Sequence, residues 1–355
     1  MTRIASILIV VSFSASVQAD DDQLVLKLKG NSVGVVRDEN APGKPIIEII
    51  VRAPVNVDKI AADIVKAKSV KRLVFASATL SDAGLKTISS LEELESLDVG
   101  QTGLTDESMK VMKAFTKLRN LAIWNTFITD AGLVHLKEAK RLKKLYLSKS
   151  QSTDRGVAYL AEFGLLHVLA SPSGDMRSDP TDAELTRLDL SKSGITDKGL
   201  RALTGLKKLT QLSLRETRVT GDGLAELKDL PLARLNLDKT NLSESGLSAL
   251  SKMEQLTHLG LGGCNVSDKG MKQLKSLRNL ETLNLNFNPI TDAGLSELKD
   301  HKKTRLLYLQ ATKITDMGLK HLKELNELRE LYVTQTGVSD KGVVQFRKDR
   351  KIHIE

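Results

Sequence analysis

Leucine recurs at positions 73, 97, 121, 145, 188, 212, 235, 259, 283, 307 and 331, at a spacing of 24 residues broken by one interval of 23 and one of 43. Two residues after each leucine comes a second apolar residue, from Phe75, Val99, Ile123, Leu147 and Leu190 to Val333. Five after it the residue is small or an amide, as in Thr102, Thr126, Ser150, Cys264, Asn288 and Thr336. Seven after it the residue is usually aliphatic (Leu104, Ile128, Ile195, Val338), with Ser152 an exception. The eighth place is Ser or Thr in all eleven units, from Ser81 to Ser339, and the ninth is Asp in nine, including Asp82, Asp130, Asp197 and Asp340. Apolar residues three apart close each unit, as in Leu200, Leu203, Leu206 and Leu209.

Two periods operate in one unit. L-x-L is the two-residue alternation of a short strand with one face buried. Apolar residues at every third place suit one face of a helix or a tight helical turn. Ser/Thr-Asp ahead of that run supplies a helix cap and a negative charge near the positive end of the helix dipole. So short a unit cannot bury its own apolar face, so neighbours must stack into a solenoid.

The runs I-T-D-A-G-L at Ile128–Leu133 and Ile290–Leu295, each preceded by L-x-L or L-x-I, resemble leucine-rich repeats. The 24-residue period and the Thr/Cys place are similar to the cysteine-containing subtype best known from F-box substrate adaptors. Similar arrays occur in exported bacterial proteins. The resemblance covers about residues 46–355 and implies an α/β leucine-rich-repeat solenoid. That fold is a right-handed superhelix with a parallel β-sheet on its concave face and helices on its convex face. The chain departs from the subtype in two ways. Only Cys264 keeps the sulfur, and no F-box-like helical segment precedes the array. A substrate-recognition role of the ubiquitin-ligase type is therefore the least expected function.

Met1-Thr2-Arg3, the apolar run Ile4 to Phe13 and the small-residue stretch ending Val17-Gln18-Ala19 have the layout of a secretory signal peptide over residues 1–19. The apolar run falls short of the roughly 20 residues of a membrane span. No cysteine follows it to take a lipid, so the expectation is an exported protein, periplasmic or extracellular. Residues 20–72 read as an N-terminal extension and capping unit. Leu24 to Arg37 would form one or two short strands and Asp38 to Pro45 a turn-rich stretch, with Ile49 and Val51 of a strand at Ile46–Val51 in register with Leu73 and Phe75. Repeats then fill 73–168 and 188–355, the last ending in a cap strand at Ile352-His353-Ile354. Between them, 169–187 is irregular. Leu169 stands where a unit should begin, Pro172, Gly174 and Pro180 interrupt it, and a loop at Ser171–Glu184 replaces a helix. Such an insertion serves as surplus loop, hinge or binding loop.

No H-E-x-x-H, G-x-S-x-G or P-loop pattern occurs, and six histidines are scattered over the array. Cys264 occupies an inward place, and Gly260-Leu261-Gly262-Gly263 falls on a strand, where it marks a flat, bare spot rather than a phosphate loop. The aspartates recur at helix starts, so they read as caps rather than calcium ligands. The expectation is no catalytic residue, no metal and no cofactor.

The informative places are those on the strand facing away from the leucines: the first and third after each leucine, and the fourth at the rim. The chain has 12 aromatic residues, and five of them fall there: Trp124, Tyr146, Phe287, Tyr308 and Tyr332. Trp124 and Tyr146 come from adjacent units and form one expected patch. Phe287, Tyr308 and Tyr332, from three consecutive units, form another. Between them lies a charged stretch of Asp189, Lys192, Arg215, Glu216, Asp238 and Lys239. Exposed aromatic clusters are the composition of binding hot spots. The reading is a non-catalytic protein-binding scaffold using the concave face, contacting its partner through Trp124, Tyr146, Arg215, Asp238, Phe287, Tyr308 and Tyr332. The alternative is a carbohydrate or envelope-polymer binder. The net charge of +9 permits nucleic acid, but the face charges are mixed in sign, and much of the Lys/Arg excess lies in helix and return segments such as Lys140-Arg141-Leu142-Lys143-Lys144. Nucleic acid is therefore not expected as a partner.

Overall fold

The computed structural model describes residues 21–355 except 32, 53, 76, 149, 150, 170–180 and 349. The expected signal segment and most of the interrupted stretch lie outside the described residues. The chain divides into two compact units, Met1–Gln151 with Glu162–Val168, and Ser152–Ala161 with Leu169–Glu355.

The first unit holds a six-stranded sheet in chain order. Its strands are β1 (Val33–Arg37), β2 (Ile46–Val51), β3 (Arg72–Val74), β4 (Ser96–Asp98), β5 (Asn120–Ala122) and β6 (Lys144–Tyr146). β1 is antiparallel to β2, and the remaining pairs are parallel. The second unit holds an eight-stranded parallel sheet, also in chain order. Its strands are β7 (Arg187–Asp189), β8 (Gln211–Ser213), β9 (Arg234–Asn236), β10 (His258–Gly260), β11 (Thr282–Asn284), β12 (Leu306–Tyr308), β13 (Glu330–Tyr332) and β14 (His353–Ile354). The leading leucines pair strand to strand, as in Leu97↔Leu121 and Leu283↔Leu307. Ile49 pairs with Leu73 and Leu331 with Ile354, so both ends keep the repeat register.

The core is aliphatic and continuous along each unit. The leucine of each repeat is buried, and so is the apolar residue two on except the half-buried Leu147, for example Leu121 with Ile123 and Leu283 with Leu285. The return segments mix α-helical and 3-10 turns. Asp130–Leu133 is α and Val134–Glu138 is 3-10, while Asp106–Ala114 is 3-10 throughout. Leu200 ends an α-turn and Leu203 a 3-10 turn of three residues per turn, and with Leu206 and Leu209 of the following turns all four lie on the buried side.

The polar residues of the repeat bind one turn to the next. The Ser/Thr at the eighth place caps its own helix, as Thr129 Oγ1 does by accepting from Ala131 N at 3.2 Å. The aspartate after it reaches the following turn. Asp292 accepts from Thr315 N at 2.8 Å and from Thr315 Oγ1 at 2.6 Å, and Asp82, Asp106, Asp268 and Asp316 repeat the pattern on Thr105, Thr129, Thr291 and Ser339. The glycine of the I-T-D-x-G-L motif is where this carboxylate packs. A Cβ on Gly318 would collide with Asp292 Oδ1, and one on Gly132 would stand 2.6 Å from Asp106 Oδ1. The fifth place serves the interior. Thr102, Thr217, Thr240 and Thr312 donate to the buried carbonyl three residues back, Asn288 does so with its amide, and the Cys264 thiol donates to Leu237 O of the preceding turn. Cys264 is 1% exposed, and burial pushes its thiol pKa up, so it is an unreactive core donor.

One expectation fails. Residues 21–30 form a helix, and only Val33–Arg37 is a strand. The two-residue spacing of Leu24, Leu26 and Leu28 imitates a strand, but Leu24 and Leu28, four apart, are buried while Leu26 is 72% exposed, which is a helical stripe. No repeat strand begins at Leu169, because Leu166–Leu169 is a 3-10 turn. Within the second unit Asp154 clamps Thr196 (N 2.7 Å, Oγ1 2.5 Å) across 42 residues instead of the usual 23. The helix bearing Asp154 thus stacks on the next regular turn, and the extra residues are an insertion between that helix and β7. Of the expected loop at Ser171–Glu184, the described end is a 3-10 turn at Asp182–Glu184.

Asp292→Ala removes two charge-assisted hydrogen bonds and is expected to lower the free energy of unfolding by about 1–3 kcal/mol, measured by urea denaturation. A second effect concerns pH. His301 is fully buried, its Nε2 lies 3.2 Å from Leu274 O, and its Nδ1 has no partner among the described residues. Burial depresses its pKa, and His258 is depressed likewise by burial and Arg234. Above the unfolded value of about 6.5 both states are neutral. Below it the unfolded chain takes a proton that the folded chain refuses, so stability falls. Asp316 and Asp222 are held below the ordinary carboxylate range by hydroxyl donors, and their stabilisation is lost as pH falls through those lowered values. Thermal melts from pH 8 to 3 should therefore show two declines, and His301→Leu should flatten the upper one.

Candidate binding surface

With the leucines turned inward, each strand presents the residue before its leucine, the one after and the third after on the opposite face. Residues of equal place pair across neighbouring strands, so the face carries three rows about 4.8 Å apart from strand to strand. The row before the leucine was missed in the sequence reading, although the same two-residue alternation predicts it. In the second unit it runs Arg187, Gln211, Arg234, His258, Thr282, Leu306 and Glu330.

The fourth place is a corner. It adopts positive φ in Gln101, Asn125, Lys192, Glu216, Lys239, Phe287, Ala311 and Gln335, with Gly263 the one glycine among them. The corner N–H donates to the next strand, as Phe287 N does to Gln310 O at 2.8 Å, and that bond holds a conformation L-residues seldom adopt. The third-place N–H has no such strand acceptor where a side chain supplies one. Asp98, Asp189, Asn236 and Asn284 each accept from the N–H two residues on, at 2.8–3.0 Å. Part of the polar face is therefore structural.

The structure brings some of the expected site residues together and separates others. In the first unit Trp124 and Tyr146 line one depression of about 530 Å³ with Arg72, Ser96, Asp98, Asn120 and Lys144. The indole covers the place where a Cβ on Gly100 would stand, so that glycine seats the ring on the preceding strand. Tyr146 is 52% exposed, and Phe127, which the sequence reading passed over, is 73% exposed.

In the second unit Tyr308 and Tyr332 stack at 4.7 Å between centroids and 15° between planes, and His353 meets Tyr332 edge-on at 6.1 Å. Tyr332 donates its hydroxyl to Glu330 Oε2 at 3.1 Å, which raises the phenol pKa. Phe287 stands on its corner, 64% exposed, outside this stack. Arg215 is engaged by Glu216 at 3.0 Å, and Lys239 joins the same carboxylate at 3.3 Å. Arg215 first, then Lys239, hold Glu216 below the usual carboxylate range. Asp238 Oδ1 accepts from Gly262 N at 2.7 Å and Asn284 Nδ2 at 3.1 Å. Gly260 and Gly262 leave room for these amides and carboxylates. A Cβ on Gly260 would stand 2.9 Å from both Asn236 Oδ1 and Asp238 Oδ1. The result is a bare floor in a depression of about 510 Å³ that spans β7 to β11.

Segments 184–203, 254–275 and 276–299 match a family model described as a leucine-rich repeat. In structure the chain is similar to an internalin from Listeria monocytogenes, with TM-score 0.54 and 16% identity over 89% of this chain and 91% of that one. A leucine-rich-repeat protein of Leptospira interrogans gives TM-score 0.52 and 16% identity over 82% and 80%. The fold is that of the leucine-rich repeats. No curated protein matches the chain in sequence.

Several basic residues on the rim of this leucine-rich-repeat array are paired between neighbouring turns. Lys117 binds Glu93 at 2.6 Å, Lys208 binds Glu184 at 2.8 Å, and Arg305 binds Glu327 at 3.0 Å. Among the described residues, no helix is long and apolar enough to cross a membrane, and no group of three or more His, Cys, Asp or Glu is placed to hold a metal ion.

Trp124 is the one tryptophan of the chain, so its fluorescence reports the first unit's face directly. Gly100→Ala should push the indole off the sheet and shift its emission to longer wavelength, with little change in far-UV circular dichroism.

Proposed function

We propose that this chain is a non-catalytic scaffold that binds a protein partner on the strand-lined face of its leucine-rich repeats. The observation that carries the reading is the Tyr308–Tyr332 stack beside His353. Two stacked rings lose little freedom on binding and present edges and hydroxyls to a partner, as hot-spot residues do. A ring pair whose facing surfaces are spent on each other is a poor platform for a sugar. The aromatic face, the charged centre with Arg215 and Asp238, and exposed Phe287 support a partner of polypeptide chemistry. Trp124 beside Asp98, Asn120 and Tyr146 supports a second reading, a saccharide bound on the first unit. The signal-like segment Met1–Ala19 supports an exported protein of the periplasm or cell exterior, and Cys264 at the fifth place supports kinship with the cysteine-containing repeats.

The test is crosslinking of the mature protein in its own envelope fraction, with the attached partner identified by mass spectrometry. Tyr308→Ala/Tyr332→Ala should reduce recovery of that partner at least tenfold, since losing one hot-spot ring costs about 2 kcal/mol or more. Its thermal melt should stay close to that of the parent. Unchanged recovery would remove this face from consideration, and retention on a glycan array with no protein attached would favour the saccharide reading.

A further inference from the structure

The glycine-floored depression of the second unit contains two cations that the fold does not use. Arg187 and Arg234 stand in the same row on β7 and β9 with Gln211 between them, two strand spacings or about 9.6 Å apart. Both are exposed, and neither has a hydrogen-bond or ion-pair partner among the described residues. This sets them apart from Arg215, which Glu216 holds, and from the paired rim residues.

The remaining groups narrow what those guanidiniums can meet. Asp189 and Asp238 line the same depression one and two rows away, each with Oδ1 committed to a backbone N–H. Two fixed carboxylates beside two arginines disfavour a uniformly charged polymer and favour a ligand with isolated negative charges among neutral donors. Next to Arg234 in the row is His258. Thr257 Oγ1 donates to Ala233 O at 3.0 Å, so the 2.9 Å contact of the same hydroxyl with His258 Nδ1 has the ring nitrogen donating. The ring's Nε2 is left as an acceptor. The depression crosses five strands, about 19 Å, enough for an extended segment of about six residues at roughly 3.3 Å each.

We propose that this depression binds an extended acidic segment of the partner polypeptide, with side-chain carboxylates on Arg187 and Arg234 and backbone N–H groups directed to the acceptors of the floor. The proposal rests on the protein-binding reading above and names the chemistry of its partner. An extended peptide suits the site because it alternates carboxylates with neutral N–H donors, which matches arginines interleaved with Gln211, Asn236 and Asp238. Gly260 and Gly262 allow its backbone to approach the sheet closely.

A phage-displayed library of random dodecapeptides panned on the mature protein tests this. The expected result is enrichment of Asp and Glu over the unselected library. A synthetic representative should bind at least tenfold more weakly to Arg187→Gln/Arg234→Gln and lose affinity as salt is raised, while the melt of that variant overlays the parent. Both side chains are exposed, so the fold does not depend on them. The proposal is overturned if no peptide is enriched, if the enriched peptides carry no excess of acid, or if the double variant binds them equally. Tighter, arginine-dependent binding of a sulfated oligosaccharide would also overturn it, in favour of a polyanion. Envelope crosslinking through Tyr308 and Tyr332 is read separately, so its partner can persist while this proposal fails.

Discussion

A turn of 24 residues with a three-residue strand cannot enclose its own leucines, and every other feature of the molecule follows from that constraint. The apolar face of each turn is completed by its neighbours, so adjacent turns must hold a fixed register. The carboxylate of Asp292 on Thr315, and its equivalents along each unit, supply that register. One hydroxyl donates to the previous turn's aspartate and accepts from its own helix. One glycine in each such turn gives the carboxylate room. The motif that reads as a helix cap is therefore also a fastening between turns.

The face that meets solvent obeys the opposite logic. The leucines are fixed by burial, whereas the three outward rows are free to vary once the third-place N–H has an acceptor. Asp98, Asp189, Asn236 and Asn284 meet that need, which removes part of their capacity from any partner. What remains for recognition is the Tyr308–Tyr332 stack, the Trp124 and Tyr146 depression, and the two arginines over the glycine floor.

Much of this was legible in the chain. The period, the inward leucines, the Ser/Thr caps, the hydrogen-bonding fifth place and the strands at Ile46–Val51 and His353–Ile354 all follow from local spacing. The helix at 21–30 was misread because a six-residue apolar alternation fits either period until burial shows which leucines share a face. The row containing Arg187 and Arg234 lies one place before the leucine, where the two-residue alternation reaches but the repeat motif fixes no residue type. Phe287 was grouped with the tyrosines because nothing in its neighbours signals a left-handed corner. Of the described corners, only Gly263 and Asn125 have residue types that usually mark one.

By itself the sequence determined the repeat, its inward residues and its caps, because those depend on contacts and periods within about one turn of chain. The tertiary structure decided which side chains meet. It brought Arg215 and Lys239 onto Glu216, stacked Tyr308 on Tyr332, seated Trp124 on Gly100 and left Arg187 and Arg234 without a partner among the described residues. The physical reason is that most of these outward partners come from a neighbouring turn about 24 residues away, so their match is set by stacking and not by any pattern within a single repeat.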